Sequence, residues 1–136
     1  FDLGDFDEAL THWREVEIPL HRRLADARSE AITMGRIAEV LQVRGQLDEA
    51  MCIYQEKLLP VFERLGDVRS KAVTMGKIAD VLQAREQLDE ALRIRQEEEL
   101  PVYERLGDVR AKAVTMGEIA DILKALEQGD RRPTPD

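Results

Sequence analysis

The tripeptide Thr-Met-Gly stands at Thr33, Thr74 and Thr115, and the step from each copy to the next is 41 residues. The same step links Ile18-Pro19, Leu59-Pro60 and Leu100-Pro101. It also links Phe6-Asp7-Glu8-Ala9, Leu47-Asp48-Glu49-Ala50 and Leu88-Asp89-Glu90-Ala91, and the aspartates Asp26, Asp67 and Asp108. No gap is needed to align them. A period of this size makes each copy one supersecondary unit, whose apolar face is buried by its neighbours rather than by itself.

Each period reads as two helices. The first, called A here, starts after Gly66-Asp67 and Gly107-Asp108. Glycine suits the left-handed residue that closes one helix, and the aspartate side chain caps the next. Val68, Ala72, Met75, Ala79 and Leu82 then recur at spacings of three and four, and Val73, Gly76, Ile78 and Val81 widen the arc. An arc that wide expects neighbours on two sides. The second helix, B, opens at Leu88-Asp89-Glu90-Ala91 with its acidic residues at the favoured end of the helix dipole. The polar stretch Arg95 to Glu99 interrupts its apolar set and reads as a solvated face. Pro60 and Pro101 fall well inside B helices, so a kink is expected near Leu59 and Leu100.

The order is B-A-B-A-B-A, with helices predicted at Phe6 to Leu24, Ala27 to Arg44, Leu47 to Leu65, Val68 to Arg85, Leu88 to Leu106 and Val109 to Glu127. Phe1 to Leu3 read as the end of a preceding A helix. The array is one domain over residues 1–128, divided into a partial repeat 1–25, repeats 26–66 and 67–107, and a half repeat 108–128. Residues 129–136, with Gly129 and Arg131-Arg132-Pro133-Thr134-Pro135, are expected to be a frayed tail. Because the first residue is Phe1 and the pattern starts mid-repeat, the chain is expected to be cut from a longer protein.

Composition removes several function classes. Twenty-eight acidic residues against twenty basic ones give a net charge of −8, which repels a phosphate backbone, so no nucleic-acid partner is expected. No apolar run approaches the roughly 20 residues that span a bilayer, so no membrane partner is expected either. Cys52 is the single cysteine, and His12 and His21 lie too far apart for helical metal ligation; no metal, cofactor or catalytic residue is assigned. Cys52 corresponds by repeat to Thr11 and Arg93, which argues against a nucleophile. His12 aligns with Ile53 and Ile94 and His21 with Phe62 and Tyr103, so both read as packing residues; Trp13, aligned with Tyr54 and Arg95, reads as packing over an edge. Gly35, Gly76 and Gly117 sit inside A helices, where each costs about 1 kcal/mol relative to alanine. Close approach of a neighbouring helix and an open groove floor both account for them.

Ile37-Ala38, Gly45 and Asp48-Glu49-Ala50, with Ile78-Ala79, Asp89-Glu90-Ala91 and Ile119-Ala120, resemble the tetratricopeptide repeat in its longer form. The resemblance implies an all-α fold: an α-α superhelix, or solenoid, of about six antiparallel helices in this 41-residue repeat. It departs from the family at Glu86 and Glu127, which replace the loop glycine, and at Lys57 and Glu98, which replace a small residue of the B helix.

What the resemblance implies for function is a non-catalytic protein-protein interaction or scaffold module of a larger, cytoplasmic, signalling or regulatory protein. Its partner, a protein or peptide, would lie along the concave face of the A helices. The residues that map there are Arg36, Glu39, Gln42, Lys77, Asp80, Gln83 and Asp121. Carboxylates stand where family members that clamp an acidic peptide tail carry asparagine and basic residues, so that clamp is not expected; the series reads first as a solvated charged face along which Arg36 and Lys77 pair with the carboxylates, and second as a site for a basic partner. The alternative is a self-assembly element. The last helix lacks a B helix to cover it, so Ile122, Leu123 and Leu126 are expected to be partly exposed and to drive homo-oligomerisation, head to tail or as a two-fold dimer.

Overall fold

A computed structural model describes residues 3–130, and all secondary structure within them is helical. There are six helices: α1 (residues 3–23), α2 (Ala27–Val43), α3 (residues 47–65), α4 (Val68–Ala84), α5 (residues 88–106) and α6 (Val109–Asp130). The odd-numbered ones are B helices and the even-numbered ones A helices.

Local chemistry places the helix ends. The carboxylates of Asp26, Asp67 and Asp108 accept from the backbone N–H groups of Ser29, Ser70 and Ala111, each at 3.0 Å. Just before them Gly66 and Gly107 are left-handed, with φ of 65° and 68°, and close α3 and α5. In the first copy Ala25 holds that conformation, with φ 53°. At the other junction Gly45 stops α2 with φ 78°, and Glu86 follows α4 with φ 59° despite its side chain. Glu127, at the same repeat position, stays helical, so α6 runs on through Gly129 to Asp130. A left-handed glutamate costs about 1–2 kcal/mol, and α5 packing on α4 offsets it at Glu86. This corrects the frayed tail at Gly129 and Asp130; residues 131–136 lie outside the described residues. Leu3 likewise belongs to α1 rather than to a preceding helix, while Phe1 and Asp2 lie outside the described residues.

The prolines are met in the same way three times. Trp13–Glu17, Ile53–Leu58 and Arg95–Glu99 are π-helical turns, each ending just before the residue that precedes proline. The N–H groups of Ile18, Leu59 and Leu100 bond to the carbonyls of Trp13, Tyr54 and Arg95, five residues back. The wider turn makes room for the proline ring and accounts for its missing N–H without breaking the helix. The expected kink at Leu59 and Leu100 therefore takes the form of one wide turn.

The helices group into two compact units, Phe1–Thr74 and Met75–Asp136. In the first, α2 packs against both α1 and α3. Arg44 pairs with Asp7 at 2.6 Å and Arg22 with Glu30 at 2.8 Å, so α1 and α2 are antiparallel. Ala38 and Ala50, both fully buried, let α2 and α3 approach closely, with Ile37, Leu41, Tyr54, Leu58 and Phe62 filling the interior. In the second unit Ile78, Ala79 and Val81 of α4, Ala91, Ile94 and Tyr103 of α5, and Ile119 and Ile122 of α6 are buried. The repeated threonines are buried, and those of Thr74 and Thr115 donate to the carbonyls of Ser70 and Ala111, which satisfies hydroxyls that would otherwise be orphaned.

Candidate functional site

The second unit encloses a charge. Arg95, in the wide turn of α5, is 1% exposed. Its Nη2 donates to Asp80 Oδ1 at 2.5 Å and to Gln83 Oε1 at 3.4 Å, both on α4. Its Nη1 donates to Glu99 Oε1 at 3.2 Å, one turn along α5, and lies 2.5 Å from Glu118 Oε2 of α6. Nε is buried without an acceptor. One guanidinium thus ties together three helices and three carboxylates. A lone buried cation would cost several kcal/mol, and these bonds are what make it tolerable.

Gly76 completes the arrangement. A Cβ built there would fall on the Glu99 carboxylate. The glycine therefore admits a carboxylate from the neighbouring helix, which decides the two readings of its position in favour of close approach. Its counterparts differ. A Cβ at Gly35 would rest 3.7 Å from Leu58, an ordinary contact, and one at Gly117 would meet nothing within 4 Å.

Burial pushes the Glu99 carboxyl above the usual glutamate range, against the pull of Arg95 and with the push of Glu118 and Asp80. Burial also raises Glu118; Arg95 and Lys77 oppose the rise, and Asp80 and Asp121 add to it. Asp80 and Glu118 keep 39% and 37% of their side-chain surface, so the cluster is closed on its inner side and anionic at its outer edge. Glu99 and Glu118 also border a cleft of about 270 Å³ with Tyr103, Arg110 and Val114. The arrangement can hold carboxylate oxygens in fixed positions as hydrogen-bond acceptors for a cationic group.

Of the residues singled out in the sequence, Asp80 and Gln83 meet at Arg95, and Lys77 and Asp121 act on Glu118 through their charges. In the first unit Gln42 accepts from the Tyr54 hydroxyl at 3.0 Å, while Arg36 and Glu39 are exposed. Among the self-association residues Leu123 is 48% exposed and Leu126 half-buried. Ile122 is fully buried, which corrects the expectation that it lies bare: it belongs to the interior of the second unit.

The polarity of Arg95 and Glu99 predicts a solvated face, yet they are the most buried charges of the second unit. The signal that marks them is the repeat itself. They stand one period after Tyr54 and Leu58, both buried, so charge at those positions means buried charge. In α1 the same two positions hold Trp13 and Glu17; lacking an arginine four residues before it, Glu17 keeps a buried Oε2 with no hydrogen-bond donor. Trp13 itself is half-buried, whereas its counterpart Tyr54 is 1% exposed. His12 is exposed and His21 half-buried, so His12 does not pack. The exposed Cys52 thiol donates to Glu56 at 3.3 Å, and that hydrogen bond pushes the thiol above its ordinary range.

Among the described residues no group of three or more His, Cys, Asp or Glu is placed to hold a metal ion. No helix among them is long and apolar enough to cross a membrane. The chain matches no protein-family model, and no curated protein is significantly similar to it in sequence.

Proposed function

We propose that this chain is a non-catalytic interaction module, a tetratricopeptide-like array whose helix pairs stack as a solenoid and whose A helices receive a basic protein or peptide segment. The reading rests on one observation above all. Around Arg95 three carboxylates share a single guanidinium, and two of them, Asp80 and Glu118, still reach solvent. A lysine or arginine side chain arriving there meets acceptors already held in place, so little ordering entropy is lost on binding. In the first unit Glu39 occupies the position of Asp80 one repeat earlier and is exposed. The net charge of −8 favours encounter with a cationic segment at long range.

The test uses calorimetric titration with a lysine-rich peptide. Glu39 and Asp121 are exposed and neither bonds Arg95, so reversing them leaves the hydrogen bonds of the buried guanidinium in place while changing the charge beside Glu118. With both changed to lysine, affinity is expected to fall by about tenfold or more while the sedimentation profile is unchanged. Equal affinity in the variant contradicts the reading.

A further inference from the structure

A cleft of about 310 Å³ opens between α1 and α3 over the first two turns of α2. Its walls are three consecutive helices of the first unit, so it is enclosed by neighbours already in place, and none of Arg36, Glu39 and Gln42 lines it. The floor is apolar: Ala31 is buried, Met34 and Val61 are half-buried, and Pro60 lies beside them. Methionine is unbranched and adapts to what rests on it. Such a floor suits one large apolar side chain.

The rim is cationic. Lys57 and Arg64 stand two turns apart on α3, roughly 10 Å along its axis, and both are exposed. Neither has a carboxylate partner among the described residues. The two carboxylates that line the cleft are both engaged: Glu30 accepts from Arg22 of α1 at 2.8 Å, and Glu56 accepts from the Cys52 thiol at 3.3 Å. On a chain of net charge −8 a rim with two unpaired cations is an exception. It is also particular to this helix. One period on, Pro101, Val102 and Arg105 repeat Pro60, Val61 and Arg64, but Glu98 replaces Lys57.

We propose that this cleft binds an acidic peptide segment, one large apolar side chain of which rests on Met34 and Val61 while flanking carboxylates meet Lys57 and Arg64. Two carboxylates three residues apart on an extended backbone are separated by roughly 10 Å, the distance between the two cations along α3. Exposed ion pairs contribute little each, so removal of the apolar side chain from water supplies most of the affinity and the cations supply the selectivity. The site is separate from the A-helix face that receives a basic segment, and it stands whether or not that reading does.

Methyl ¹H–¹³C spectra of the whole chain test this with the peptide Ser-Glu-Phe-Gly-Glu-Ser. The Met34 and Val61 methyls are expected to shift as the peptide is added, with saturation at high micromolar concentration. Replacing the peptide's Phe by Ser, or both of its Glu by Gln, is expected to weaken binding by about tenfold or more. The peptide Ser-Lys-Phe-Gly-Lys-Ser is expected to leave both residues in place. On the protein side, Lys57→Glu combined with Arg64→Gln changes two exposed residues that carry no ion pair, and Glu98 already stands at the first position one repeat on. That variant is expected to keep its melting temperature and to lose about tenfold or more in affinity. Met34 and Val61 methyls that stay fixed at millimolar peptide overturn the proposal, as does undiminished affinity in the double variant. Equal binding of the peptide without Phe also overturns it, because charge alone then accounts for the capture.

Discussion

Tyr54 and Arg95 are two answers to one buried position. The tyrosine is neutral and needs a single acceptor, Gln42, whereas the guanidinium needs Asp80, Gln83, Glu99 and Glu118 and still leaves Nε unsatisfied. Removing one member of such a network is costly, and replacing the network with apolar side chains is not. Arg95→Met, which strands three carboxylates, is expected to lower unfolding free energy by about 3–5 kcal/mol in urea titration. Arg95→Tyr combined with Glu99→Leu, the pair found one repeat earlier, is expected to be neutral or stabilising. If the double substitution costs as much as Arg95→Met, the cluster is not the burden described. The same residues set a pH dependence. Glu99 is raised by burial and faced by Arg95 on α5, by Asp80 on α4 and by Glu118 on α6, and Lys77 and Asp121 in turn act on Glu118. In the window above the ordinary glutamate range the folded chain holds protons that the unfolded chain has released, so stability falls as pH rises through it. Glu99→Gln is expected to flatten the slope of the urea midpoint over that window, and an unchanged slope contradicts the assignment. At Glu86, finally, a glutamate is held at φ 59°. Glu86→Gly removes that strain against a smaller entropic loss and is expected to stabilise the chain by about 0.5–1 kcal/mol.

At the level of the helix, the wide turn decides how a proline can stand in a B helix. In an ordinary α-helix an internal proline costs about 3 kcal/mol or more. Here the bond from Leu100 N–H to the Arg95 carbonyl has already shifted the register by one residue before Pro101 is reached. Pro101→Ala is therefore expected to change unfolding free energy by less than about 1 kcal/mol, and a gain near 3 kcal/mol would mean the ring is strained. The wide turn also governs which side chains face inward. Most helix positions were legible in the sequence, because the caps at Asp26, Asp67 and Asp108 and the spacing of three and four carry their own physics. The turn was legible only as a disturbance at the proline. A period of 3.6 carried on from Ala91 keeps Arg95 on the buried face but turns Glu98 inward next; the added residue of the wide turn brings Glu99 inside with Arg95 and leaves Gln96, Glu97 and Glu98 outside.

Across the whole chain, the step of 41 residues is a stronger guide than any single segment, since each position can be judged by its counterparts. It identifies Asp80 and Gln83 as residues of one surface, and the contacts at Arg95 bring them together. It does not reveal that Glu118 crosses to the same guanidinium, because its counterparts Arg36 and Lys77 carry the opposite charge. It also overstates Ile122, whose burial depends on the packing of α5 against α6 rather than on a missing neighbour. What the chain does with its acidic face is open to one direct measurement. Amide ¹H–¹⁵N shifts recorded while a lysine-rich peptide is added should move first at Lys77, Asp80, Glu118 and Asp121 and at Arg36 and Glu39. Those at the equally acidic but outward-facing Glu97 and Glu98 of α5 should stay in place. Shifts spread evenly over all the carboxylates, or concentrated on the B helices, would contradict a binding face built by the A helices.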